Sequence, residues 1–238
     1  MSRAPSVTPQ GYAVNTSTYE AKYQAGYGLQ YPDGHVIRFH RHILEYELGL
    51  SSGTILDYGC GTGTHLRYFE QQGFTPYGCD ISATAIAKCK RLLPAYADHF
   101  HVVPNSPRLK DYFPGEFDLV FSNQVLYYLN DADLDQLIPQ FYRMLRPGGV
   151  IFATMMAPTS YYFRHIADTE RGLSKVVLKG RLNETTYINF KTKEQVLSLF
   201  TAYGFTRLHL GLYGSAIRDD EGPTDHYMFV GRRDARPA

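Results

Sequence analysis

Seven residues of the chain, Asp57 to Gly63, read Asp-Tyr-Gly-Cys-Gly-Thr-Gly. The apolar pair Ile55 and Leu56 precedes them and helical spacing begins at His65, so the stretch reads as strand, tight turn, helix. Glycines suit such a turn because it needs backbone angles that side chains disfavour, and because a ligand can lie directly against backbone without Cβ atoms. Residues around the turn narrow the ligand. A dinucleotide fingerprint needs a small residue where Thr64 stands, and a P-loop needs a lysine that does not follow these glycines. Asp57 would repel a pyrophosphate but suits an ammonium group. Asp80 closes the next strand, 19 residues after Gly61, where a carboxylate can accept hydrogen bonds from both ribose hydroxyls.

The turn must be held by an alternation of strands and helices, and the sequence supplies one. Strands are predicted at 54–57, 76–79, 99–103, 117–121 and 150–154, with helices at 64–72, from the Ser82 N-cap through 93, and at 133–145. Thr192 with Gln195 resembles a capping box that opens a helix ending near Gly204. Segments 206–213 and 227–230, joined by SAIRDDEGPTD, read as a closing antiparallel pair. The expected fold is α/β, a three-layer Rossmann-like sheet, mainly parallel with a C-terminal antiparallel hairpin, binding ligands at the C-terminal strand ends. Residues 157–190 are of mixed character.

A ribose diol beside a cationic tail describes S-adenosylmethionine. The chain resembles the class I S-adenosylmethionine-dependent methyltransferases, strongly over about residues 50 to 155. Asp57 to Gly63 is similar to that family's first motif, and YGCDIS to its second. FDLVFSNQVLYYL is similar to the fourth-strand motif, and LRPGGVIFATMM to the turn and fifth strand. The resemblance implies a cofactor site of Asp57, Gly59, Cys60, Gly61, Asp80, Ile81, Asn105, Ser106, Asn123 and Gln124, with Tyr23 and Tyr31 from an N-terminal lid. Asn105 stands where the family usually has an aspartate; its amide oxygen can still accept from an adenine amino group.

The rest of the chain bears on the acceptor. Twenty Tyr and 14 Phe without Trp supply amphipathic rings for lining pockets. Tyr127, Tyr128, Tyr161, Tyr162 and His165 come from strand-end loops; His165 is a candidate base and Tyr128 a second catalytic candidate. Residues 1–34 are expected to form an arm and lid, mobile to about residue 18, with Tyr19, Tyr23, Tyr31 and His35 as covering residues; 35–238 form the methyltransferase domain. The wording of these segments resembles bacterial methyltransferases acting on small or glycan-linked acceptors.

From 35 to 50 one helix is expected, with Val36, Phe39, Ile43, Tyr46 and Leu50 on its buried stripe. His35, His40 and His42 are assigned to its solvated face, since their offsets do not gather three imidazoles on one metal. No metal is expected. A net charge of +1 supplies no field for nucleic acid or an anionic membrane. Cys60, Cys79 and Cys89 fit reduced thiols in a cytoplasm, and the N-terminus lacks the apolar core of a secretory signal.

The leading expectation is methyl transfer to oxygen or nitrogen of a small molecule or sugar. A non-catalytic cofactor-binding scaffold and a protein or nucleic-acid methyltransferase are the alternatives. The absence of an N/D-P-P-Y/F motif after the fourth strand, where SNQV stands, weighs against base methylation.

Overall fold

The computed structural model describes residues 10–180, 183–216 and 222–234. Its core is a seven-stranded sheet in the order β3-β2-β1-β4-β5-β10-β9. Strands β1 (Gly53–Tyr58), β2 (Phe74–Asp80), β3 (Phe100–Val102), β4 (Phe117–Ser122) and β5 (Leu145–Met156) are parallel. β9 (Phe205–Tyr213) and β10 (His226–Arg233) form the expected antiparallel hairpin, β10 lying beside β5. Part of their connecting loop, 217–221, falls outside the described residues. The central strand β4 is buried at every position, as a strand covered on both faces must be.

Helices α3 (Thr64–Gln71), α4 (Ala83–Leu92), α5 (Asp131–Met144) and α6 (Lys193–Thr201) connect the strands. Ser82 caps α4 by accepting from the Ala85 N–H at 3.0 Å, and the Thr192–Gln195 capping box opens α6 as predicted. One apolar cluster around Leu56, Val120, Phe141 and Ile151 fills one side of the sheet. A second around Ile55, Phe69, Phe121 and Phe152 fills the other.

Three expectations are corrected. Residues 10–18 are not a mobile arm: α1 (Gln10–Gln24) is a helix although it lacks an amphipathic stripe. Tertiary bonds hold it, with the Asn15 side chain donating to the Tyr187 carbonyl at 2.9 Å and Tyr12 bonded to Asp133. Residues 1–9 of the expected arm lie outside the described residues. The 35–50 helix is a short α2 (Gly34–Arg38) that widens into a π-helix, Phe39–Glu47. That wider winding rotates the later residues off an α-helical stripe, so Leu44 is buried while Tyr46 is 91% exposed. His35 and His40 are buried rather than solvated: His40 lies within that winding, whereas His35 precedes it and is bonded to Asn123 at 2.9 Å; His42 alone of the three is exposed. The mixed region after β5 forms a separate antiparallel sheet of β6 (Ile166–Glu170), β7 (Leu173–Leu178) and β8 (Glu184–Ile188). α1 packs on β8, where Lys22 pairs with Glu184 at 2.8 Å.

Candidate cofactor and acceptor site

Asp57 and Asp80 end neighbouring parallel strands, and the glycine turn runs between them. The N–H groups of Gly59 and Cys60 both donate to the Cys79 carbonyl, at 2.8 and 3.0 Å, which ties the turn to the end of β2. Gly59 has φ +83°, and a Cβ there would lie 2.3 Å from a Val125 methyl; at Gly61, φ +51°, it would lie 2.8 Å from the Tyr23 hydroxyl. The turn therefore requires glycine at position 59, and at position 61 its positive φ disfavours any side chain. Asp80 accepts from the Gly61 N–H at 2.9 Å and the Ser82 N–H at 2.8 Å. These bonds fix its carboxylate and leave lone pairs for a diol.

The turn floors a cleft of about 1180 Å³, counting its open mouth. Gly59, Cys60, Gly61, Asp80, Ile81, Asn105, Asn123, Gln124, Tyr23 and Tyr128 line it. Asp57 lies beneath the turn, 2% exposed, with Oδ2 buried and unpartnered. Burial, then the charge of Asp80, pushes its carboxyl well above the usual carboxylate range. Ser106 is exposed, donates to Asp133 at 2.6 Å and does not line the cleft. Tyr31 is 79% exposed and His165 lies on a turn beside Tyr161, ring centroids 4.5 Å apart; neither lines the cleft.

α1 roofs the cleft with Tyr12, Asn15, Tyr19 and Tyr23. Glu20 accepts from Ser82 and Thr84 at the start of α4, and Lys88 donates to the Tyr23 carbonyl, so the roof is latched to the floor. The Tyr19 and Tyr128 hydroxyls share a hydrogen bond of 2.5 Å across the cleft. Burial pushes both phenols up, so they stay protonated.

At the mouth, Asp33 approaches His65 at 3.5 Å and accepts from the Asn123 amide at 3.1 Å. Burial raises the Asp33 carboxyl, but the hydrogen bonds from His65 and Asn123, with the His65 and His35 rings nearby, hold it below the ordinary value. Asp33, His65, Asn15 and Tyr12 were not flagged by their sequence surroundings. Asp33 sits in a Pro-Asp-Gly turn, which reads only as a helix breaker. Gln124, at φ +59°, is held by its N–H donating to Thr154 at 2.6 Å. Such a strained residue at a strand end is common where a ligand is bound.

Among the described residues no group of three His, Cys, Asp or Glu could hold a metal ion, and no helix is long and apolar enough to cross a membrane. The three cysteines are buried and carry no disulfide. The residues present fit S-adenosylmethionine. An orphaned buried carboxylate oxygen suits its ammonium, the bare glycine turn suits close approach, and the fixed Asp80 suits its ribose.

Sheet order, glycine turn and roofed cleft together define a Rossmann-like methyltransferase fold. The chain belongs to the family whose description is methyltransferase domain, and the family model matches residues 33–210. It is 32% identical to an uncharacterised methyltransferase of Synechocystis over 53% of this chain and 58% of that protein. It is 35% identical to a malonyl-[acyl-carrier protein] O-methyltransferase of Enterobacter lignolyticus over 44% of this chain and 40% of that protein. These matches therefore span 58% and 40% of the two relatives' own lengths. Among solved structures, the 1,6-didemethyltoxoflavin-N1-methyltransferase of Burkholderia thailandensis, with bound S-adenosylhomocysteine, superposes with TM-score 0.64 at 20% identity. That match covers 98% of this chain and 93% of the other. The N-methyltransferase NodS of Bradyrhizobium japonicum gives TM-score 0.61 at 16% identity, covering 92% and 98%.

Proposed function

We propose that the protein transfers the methyl group of S-adenosylmethionine to oxygen or nitrogen of a small-molecule acceptor, a sugar among the candidates. The observation that carries this reading is the pair of buried carboxylates, Asp57 and Asp80, bracketing a glycine turn that floors a roofed cleft. A cleft roofed by α1 suits a small molecule rather than a polymer. The names of relatives support the class of acceptor, since the proteins above act on a carrier-linked acid and a toxoflavin precursor.

When bound, the cofactor supplies a methyl group on an electron-poor sulfonium. The chain's own residues bind, orient and exclude water. Asp57 holds the ammonium, Asp80 the ribose hydroxyls and Asn105 the adenine edge, with Ile81 beside it. Asn123 and Gln124 position the amino-acid tail. Residues 10–34 form the lid, and the Tyr19–Tyr128 bond closes it. Of the two candidate catalytic groups, Tyr128 lines the cleft, which supports a role for it, whereas His165 stands outside it. Holding an acceptor atom in line supplies much of the acceleration in such a displacement. A screen for tritiated methyl transfer across phenols, sugars, amines and heterocycles tests the proposal; cofactor binding without transfer to any of them would favour a non-catalytic scaffold.

A further inference from the structure

Two buried histidines, one in α2 and one opening β10, present fixed, unpartnered ring nitrogens. At the start of β10, His226 Nδ1 lies 2.7 Å from the Thr224 carbonyl. A carbonyl only accepts, so Nδ1 carries the proton and Nε2 is a bare lone pair. At the start of α2, His35 Nε2 lies 2.9 Å from Asn123 Oδ1, whose amide nitrogen donates to Asp33. His35 Nε2 therefore donates, and its Nδ1 is the bare lone pair. Both nitrogens, His226 Nε2 and His35 Nδ1, are buried without a hydrogen-bond partner, in residues 3% and 8% exposed.

The two rings belong to one aromatic compartment. Tyr213 touches both, its centroid 3.9 Å from His35 and 6.2 Å from His226. Phe152 stacks on His35, and Tyr127 lies 5.3 Å from His226. The compartment lies against the cleft wall, which neither histidine lines: Asn123, a wall residue, bonds His35, and the ring of Tyr128, also in the wall, is 4.5 Å from Tyr127. Buried polar atoms are almost always bonded, so two bare acceptors in one aromatic compartment call for a function.

Resting on the methyltransferase reading, we infer that His35 and His226 select the acceptor: they accept hydrogen bonds from two N–H or O–H groups of a planar ring, one of them the group to be methylated. Methylation converts X–H into X–CH3, with the displaced proton leaving to solvent, so the product has lost one donor. A site built to accept from a donor rejects an analogue lacking it, because its own buried acceptor is left unpaired. The same loss favours product release. Both imidazoles stay neutral for this role, since burial lowers each pKa, that of His226 to about 4. The charged and titratable groups facing them are Asp33, Asp225, His65, Tyr127 and Tyr213.

The test uses the protein saturated with S-adenosylhomocysteine and three planar probes: catechol with two donors, guaiacol with one and veratrole with none. Binding is followed by calorimetry, and the ring nitrogens by 15N–1H correlation spectra of histidine-labelled protein. The expected order is catechol, guaiacol, veratrole, each step weakening binding on the order of 10-fold. Catechol should shift the unprotonated Nε2 of His226 and Nδ1 of His35. His226→Gln, which keeps an acceptor, should preserve the order, and His226→Phe should compress it. Equal affinities, no catechol binding, or the opposite tautomers would overturn the inference, and the unmutated protein alone decides that. Failure to bind S-adenosylhomocysteine would instead sink the methyltransferase reading.

Discussion

The carboxylate of Asp57 lies buried at the end of β1, and the charge of Asp80 at the end of β2 helps burial to push its pKa up. A buried acid with an unpartnered oxygen is unfavourable for folding and favourable for binding a cation. Asp57→Asn should weaken S-adenosylhomocysteine binding by about 10- to 100-fold, the worth of one charge-assisted contact. It should also raise Tm at neutral pH. Titration calorimetry and thermal unfolding of the same variant check both, and an unchanged affinity would remove Asp57 from the site.

Because the free protein holds Asp57 with a raised pKa, binding an ammonium must lower that pKa and release a proton. Affinity should rise with pH across the interval between the two values, above the ordinary carboxylate range. Calorimetry in two buffers of different ionisation enthalpy measures the proton released. The Asp57→Asn variant should release less.

Gly59→Ala places a methyl group where a Val125 methyl already stands, at a backbone angle that alanine disfavours. The expected loss is about 1–3 kcal/mol of stability together with weaker cofactor binding. Gly148→Ala serves as a control: it also has a positive φ, at +83°, but nothing lies within 4 Å of a Cβ there. It should cost less, and only in stability, as read by denaturant unfolding.

The strand-turn-helix at 54–72 was legible because each part is specified locally: an apolar strand, obligate glycines and a helix start. Capping at Ser82 and Thr192 was legible for the same reason. α1 was not, because its residues bury against β8, α4 and α5 without periodicity, and tertiary contacts override a weak local pattern. Nor were the burial of His40 and the exposure of Tyr46, since a π-helical winding shifts every face computed from 3.6 residues per turn. His226, close in space to His35 although 191 positions away, carries no local signal at all.

The neutral histidines make the fold sensitive to acid. His226 has an ordinary value of 6.5 and is held at about 4 in the folded protein. Its folded-state pKa is depressed, so its contribution to stability is fully present above pH 6.5 and is lost as pH falls from 6.5 towards 4. The loss amounts to about 3 kcal/mol at the low end. His35 and His40, also lowered by burial, add in the same direction. Denaturant unfolding as a function of pH checks this, and His226→Gln should show a shallower decline.

Glu20 latches α1 to the start of α4, bonding Ser82 and Thr84. Glu20→Ala should speed the release of S-adenosylhomocysteine several-fold in stopped-flow displacement, while global stability changes little. An unchanged release rate would mean that the lid opens elsewhere.

The most direct measurement is titration of the protein with S-adenosylhomocysteine and, separately, with NAD. Saturable binding of one S-adenosylhomocysteine per chain is expected, weakened in both Asp57→Asn and Asp80→Asn, and the cofactor assignment requires that NAD does not bind. Binding of NAD in preference to S-adenosylhomocysteine, or no binding of S-adenosylhomocysteine at all, would contradict it.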